Sequence, residues 1–252
     1  MFPVYQFIAD YAGERLGVPT ELFTGASFDQ FASGEADIGF ICGLPYVKLA
    51  RLNPAPVEPL VAPVLQGQRF GGLPIYFSDV IVKRGKPYRS FAELRGCSWS
   101  YNDPESQSGY GITRYWLAQM GETRSFFGRV VEAGFHQKSI QMVCAGEVDA
   151  SAIDCQVLSI QMRDHPELLD QIQVIDSLGP STIQPVVAAA RLPASLRAEL
   201  RSVFLELGRD PAARANLAFG FIEGFSLVTD KDYDDIRRML AIAEAAGVAA
   251  LR

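Results

Sequence analysis

The chain has 252 residues, 48% hydrophobic and 21% charged, enough for one large domain or two lobes of ordinary size. Its net charge is −6, and without a basic run or stripe it does not read as a nucleic-acid binder. The apolar stretches are too short to span a bilayer, and the opening residues carry no charged-then-apolar leader pattern.

Four cysteines, Cys42, Cys97, Cys144 and Cys155, lack C-x-x-C spacing and lie in or beside apolar runs, so they read as buried free thiols. Two histidines, His136 and His165, are too few for a His-rich site, so neither a metal nor a cofactor is expected.

The first helix is Pro3 to Leu16, with Val4, Phe7, Ile8, Tyr11 and Leu16 on one face and Gly17 as its stop. Val18–Phe23 is expected as a strand. Ser27-Phe28-Asp29-Gln30 forms a capping box for a short helix ending at Gly34, and Asp37–Ile41 is a buried strand. The loop Cys42–Tyr46 leads into a helix to about Leu52. Pro54, Pro56 and Pro59 mark a linker, followed by strands at Leu60–Leu65 and Ile75–Lys83.

Ser90-Phe91-Ala92-Glu93 is a second capping box, for a helix that Gly96 ends. Cys97–Tyr101 is a strand, and Ile112, Tyr115, Trp116 and Met120 mark a helical stripe beyond it. Further strands are expected at Phe126–Glu132, Val148–Ile153, Ile172–Ser177 and Ile183–Ala190, with helices at Ser139–Ala145 and Gln156–Arg163. From Pro193 onward the pattern is mostly helical: Pro193–Leu207, Pro211–Ala218 and Asp232–Ala246. Strands alternating with helices give an α/β fold with largely parallel sheets.

The stretch Asn102-Asp103-Pro104-Glu105-Ser106-Gln107-Ser108-Gly109-Tyr110 joins a strand to a helix start. Asp103-Pro104 supplies a turn, and Gly109 leaves no side chain in the way. Helix-start N–H groups flanked by hydroxyls make an oxyanion pocket, or the same serines are an ordinary N-cap.

Two segments match in register: Ser27 to Gly34-Glu35-Ala36-Asp37, and Ser139 to Gly146-Glu147-Val148-Asp149. They are a shared helix-to-strand connection or the marks of two similar lobes. In the second reading the residues after Ile41 and after Ile153 are equivalent strand ends, where ligands collect in open α/β sheets.

These pieces resemble the solute-binding proteins of ABC importers, of the phosphate/phosphite/phosphonate-binding type. The resemblance rests on Gly34–Asp37 through Gly43–Tyr46, Tyr76–Val82, Phe91–Gly96, Asp103–Tyr110, His136–Ser139 and Gly146–Asp149, in matching order over nearly the whole chain. It implies a two-lobed, type II periplasmic-binding-protein-like α/β fold, each lobe a mostly parallel sheet flanked by helices. Lobe one would be 1–80 plus 186–252 and lobe two 81–185. Ligand would sit in a hinged cleft, with crossings near Ser78–Val82 and Gln184–Ala188. Family members begin with a strand before the first helix, whereas this chain opens in that helix.

The oxyanion ligands the resemblance implies are Tyr46, Tyr76, Ser106, Gln107, Ser108 and His136. Each tyrosine can also be a core residue, and His136 a helix cap or surface residue. Asp154 is a cleft carboxylate or a cap for the next helix. By register, Gln156 and Gln184 fall where members taking aminoalkyl phosphonates carry acidic side chains, so an ammonium would lack a carboxylate partner there.

The implied function is capture of a small anionic solute for the membrane subunits of an ABC importer. The protein would be a monomer, periplasmic or lipid-anchored outside the cell, without inserting into the membrane itself. No nucleophile–base pair or metal cluster stands out, which favours binding over catalysis. The alternatives are a cytoplasmic enzyme on this fold, similar to menaquinone-pathway enzymes or pyrimidine-precursor synthases, and a cytosolic ligand sensor.

Overall fold

The computed structural model describes residues 1–122 and 125–251. In chain order the elements are α1 (Phe2–Leu16), α2 (Gln30–Ser33), β1 (Ile38–Phe40), α3 (Gly43–Leu49), β2 (Val57–Leu65), β3 (Ile75–Lys83), β4 (Ser98–Tyr101) and α4 (Ile112–Gln119). There follow β5 (Arg129–Glu132), α5 (His136–Ala145), β6 (Ala150–Asp154), α6 (Cys155–Asp164), α7 (Leu168–Gln171), β7 (Ile172–Thr182) and β8 (Val186–Ala189). The chain ends with α8 (Ala194–Leu207), α9 (Arg214–Phe219), β9 (Ile222–Leu227) and α10 (Asp234–Ala245).

The chain divides into two compact units, Met1–Ile75 with Thr182–Asp234 and Tyr76–Ser181 with Asp235–Arg252. The expected division kept everything from 186 onward in lobe one. Residues from Asp235 instead belong with the second unit, because Met239, Ala246, Val248 and Leu251 pack into its core.

The first unit holds a four-stranded sheet in the order β1-β8-β2-β9. Its strands pair antiparallel: Gly39 faces Val187, Val57 faces Ala189, and Pro63 faces Phe225. The parallel sheet expected here is therefore corrected. β8 enters between β1 and β2 and runs against both, and β9 runs against β2 on the far side. β9 itself was read as part of a helical tail.

The expected strand at Val18–Phe23 is also absent. Those residues run without a ladder, because strand propensity needs a paired neighbour to become a strand. Beside them α1, the edge strand β1 and α8 line a groove of about 1040 Å³, with Tyr5, Ile8, Phe40, Leu200 and Phe204 on its wall.

The second unit holds a five-stranded sheet in the order β5-β4-β6-β3-β7. Here β4 runs parallel to β5 and β6, while β3 runs antiparallel to β6. One face covers an aromatic core. Trp99 stacks on Phe127 at 4.7 Å, and Phe91 meets Trp99 edge-on at 5.6 Å and stacks on Phe126 at 5.6 Å. A Cβ on Gly128 would lie 2.4 Å from the Gly96 carbonyl, so glycine there lets two backbones approach beside this core. The other face packs Ile81, Ile140, Val143, Ile153 and Leu158.

The two matched segments fall in separate sheets. Gly34 and Gly146 both end their helices in the left-handed conformation, at φ 90° and 77°. In the second copy Asp149 locks the sheet, its carboxylate accepting from the Ser98 N–H at 2.9 Å and hydroxyl at 2.7 Å. The four cysteines are thiols rather than disulfides, with Cys97 and Cys155 buried and Cys42 and Cys144 partly exposed.

Candidate functional site

The site grows out of the turn after β4. The Asp103 carboxylate accepts from the Glu105 N–H at 2.6 Å, and the Ser106 N–H donates to the Asp103 carbonyl at 3.0 Å. This is the turn that Asp-Pro predicts. Ser106 Oγ then accepts from the Gly109 N–H at 3.1 Å and caps the next turn. That turn, Gln107–Gly111, is a π-type widening of the helix start. The Ser106 carbonyl accepts from both Tyr110, at 3.2 Å, and Gly111, at 2.9 Å. Such widenings recur at functional sites.

Gly109 has a further use beside the one expected. A Cβ there would lie 1.9 Å from Asn102 Oδ1, so the bare Cα also accommodates the Asn102 side chain.

Three side chains meet in this unit. Ser106 Oγ lies 3.3 Å from Ser108 Oγ, and Ser108 Oγ lies 3.0 Å from His136 Nε2. All three are buried, with relative exposures of 7%, 3% and 8%. His136 opens α5 directly after the extended Phe135, so the contact joins two helix starts, each with the positive end of its dipole.

Burial pushes the His136 pKa down to about 4, so the imidazole is neutral at physiological pH. The arrangement offers hydroxyl donors and an uncharged ring, all buried, the chemistry that can hold a compact oxyanion through dipoles.

The other expected residues have other surroundings. The Gln107 amide donates toward Ser181 Oγ and Met239 Sδ, both at 3.3 Å. Asp154 ends β6 and caps α6, its Oδ1 accepting from the N–H groups of Gln156 at 2.8 Å and Val157 at 3.2 Å. That geometry is the cap reading of Asp154. Burial raises its pKa to about 6, with Asp79 adding to the rise and the cap bonds opposing it. Gln156 is buried in the first turn of α6, and Tyr76 is buried at the start of β3.

In the first unit, the Tyr46 hydroxyl donates to Asp230 at 2.7 Å, and its ring meets Tyr233 edge-on at 4.6 Å. Gln184 is half-buried between β7 and β8.

Sequence reasoning missed Ser139. It was read as a helix opener, but α5 starts at His136, which places Ser139 one turn in and fully buried. The available signal was its spacing of three from His136, which puts both on one helix face. Among the described residues, no group of three or more His, Cys, Asp or Glu is placed to hold a metal ion. No helix among them is long and apolar enough to cross a membrane.

Solved structures share the fold at low identity. A binding protein component of an ABC phosphonate transporter from Pseudomonas aeruginosa superposes with a TM-score of 0.82 at 19% identity, over 98% of this chain and 82% of that one. PhnD1 from Prochlorococcus marinus, in complex with methylphosphonate, gives 0.76 at 19% identity, over 93% and 90%. A Xanthomonas citri protein bound to ATP gives 0.70 at 18%, over 97% and 92%. These neighbours place the chain in the two-lobed type II periplasmic binding protein fold. The family model described as "ABC transporter, phosphonate, periplasmic substrate-binding protein" matches residues 1–233, and the chain belongs to that family.

Proposed function

We propose that this protein captures a small oxyanion of the phosphonate, phosphite or phosphate kind at Ser106, Ser108 and His136 and delivers it to the membrane subunits of an ABC importer. It works as a monomer in the periplasm or anchored outside the cell by lipid. The observation that carries the reading is the buried hydroxyl–hydroxyl–imidazole cluster at two helix starts. Family membership supplies the transport role, and the methylphosphonate held by PhnD1 supplies the model ligand.

A serine beside a histidine also begins a nucleophilic dyad. A general base works best with a pKa near the operating pH, whereas that of His136 is about 4. Among the described residues its second nitrogen, Nδ1, has no hydrogen-bond partner, and so no orienting carboxylate of a triad. Binding therefore fits the cluster better than catalysis. The neutral Gln156 and the committed cap Asp154 disfavour an aminoalkyl phosphonate, whose ammonium would lose hydration without a carboxylate partner.

Calorimetric titration with methylphosphonate, phosphite, phosphate and aminoethylphosphonate tests this reading. The amine should bind weakest. The Ser106→Ala/Ser108→Ala double variant should lose roughly ten- to a hundredfold in affinity for the best ligand, from about 1–3 kcal/mol of charge-assisted hydrogen bonding. Unchanged affinity in the double variant would reject the site.

A further inference from the structure

His136 Nδ1 and Ser139 Oγ are both buried, and neither has a hydrogen-bond partner among the described residues. They sit three residues apart on the first turns of α5, on one helix face. A buried polar atom is rarely left unpaired, and where one is, its partner needs explaining.

Counting donors identifies that partner. An ionised oxyanion only accepts hydrogen bonds. Ser106 Oγ already accepts from the Gly109 N–H, so its proton points at a ligand or at Ser108 Oγ, 3.3 Å away. Ser108 can donate to the same ligand only if its oxygen accepts from His136 Nε2, 3.0 Å away. That requires the ring proton on Nε2, which makes Nδ1 a bare acceptor in need of a donor. With the opposite tautomer, Ser108 would spend its proton on the ring and turn lone pairs toward the anion.

We propose that Ser139 is a positioning residue. Its hydroxyl donates to one buried water, and that water donates to His136 Nδ1. It thereby fixes the Nε2–H tautomer that turns the Ser108 hydroxyl outward as a donor. Polar sites of this kind hold such waters commonly. The neutral ring supports the scheme, since an imidazolium would donate from both nitrogens and leave the Ser139 proton without an acceptor. The role of Ser108 in this relay rests on the proposed anion site, whereas the ring tautomer does not.

The experiment is a long-range 1H–15N correlation spectrum of the 15N-labelled protein, without and with methylphosphonate, for wild type and Ser139→Ala. Only two histidines contribute, and His165 is exposed and paired with Glu167, so the His136 pattern is readily separated. In wild type, Nε2 should be protonated and Nδ1 bare. In Ser139→Ala the population should move toward the Nδ1–H tautomer. Affinity for methylphosphonate should fall roughly three- to tenfold, as for one net hydrogen bond, although Ser139 touches no ligand in this scheme.

Protonation at Nδ1 in wild type overturns the proposal, as does a variant whose tautomer and affinity (within about twofold) both stay put. If wild type fails to bind any of the oxyanions, the proposed function falls. The ligand-free spectra then decide the Ser139–His136 link, upheld by an Nε2–H pattern that Ser139→Ala shifts and overturned by one it leaves unmoved.

Discussion

The first unit keeps its charged pairs near the surface. Arg201 donates to Glu58 at 2.6 Å, Arg197 Nε lies 2.9 Å from the same oxygen without hydrogen-bond alignment, and Arg15 meets Glu206 at 2.8 Å. One edge of its sheet, at β1, borders a largely apolar groove. The second unit instead buries its polar groups. Ser100, Ser106, Ser108, His136, Ser139 and Asp154 all lie inside it, beside a sheet clamped by Trp99, Phe91, Phe126 and Phe127. The difference teaches where preorganisation resides. Buried hydroxyls can face a ligand in a fixed geometry only if the frame holding them is rigid, and the aromatic core provides that frame.

The largest expected effect follows from that frame. Trp99 is fully buried on β4, the strand that leads into the Ser106 turn. Trp99→Ala should lower unfolding stability by about 3–5 kcal/mol and weaken methylphosphonate binding as well. A loss below 1 kcal/mol in chemical denaturation, on the scale of a surface change, would break the contrast between the units.

The next effect is pH dependence, and across the mildly acidic range it follows two buried groups of the second unit. The His136 pKa is lowered from 6.5 to about 4 in the folded protein. Its contribution to stability is present above pH 6.5 and is lost as pH falls through that range toward 4. The Asp154 pKa is raised from 3.8 to about 6. Its contribution is complete below pH 3.8 and is lost as pH rises through 6. The two oppose each other across the mildly acidic range. Denaturant midpoints measured from pH 4 to 7 should therefore slope in opposite senses in the single variants. Asp154→Asn should gain stability with rising pH, and His136→Gln should lose it. Parallel slopes would show that the two groups are not buried as described.

The smallest effect sharpens the comparison from the other side. Glu58→Gln, in the first unit, should cost about 1 kcal/mol or less, because partly exposed ion pairs contribute little. A thermal melt showing a loss as large as that of Trp99→Ala would mean that the first unit also depends on a polar lock.

Much of this was readable in the residues. The run Ile75–Lys83 emerged with its bounds intact, because aromatic and β-branched residues on both sides of Ser78-Asp79, set between turn signals, are a strong strand pattern. α1 was legible from its face and its Gly17 stop, with Gly17 at φ 67°. That Ser106, Ser108 and His136 come together was legible because a local motif and a helix start carry them.

What escaped depends on partners distant in the chain. Val18–Phe23 has strand composition and no ladder, whereas Ile222–Leu227 has a glycine and little alternation and becomes a strand by pairing with β2. The Tyr46 hydroxyl meets Asp230, 184 residues away, and no spacing rule foretells that. Ser139 escaped because a serine near a helix start reads first as a cap.

The neutrality of the Ser106–Ser108–His136 cluster has a kinetic consequence. A receptor that gathers an anion with lysines and arginines draws it in from a distance, and salt slows that arrival. Here the gathered groups carry no formal charge and the chain as a whole bears −6, so the long-range field resists the approach of an anion. Added salt screens that field over about 10 Å at 0.1 M, so association should quicken with ionic strength and then level off. In the proposed site, tight holding would come from slow release rather than from fast capture.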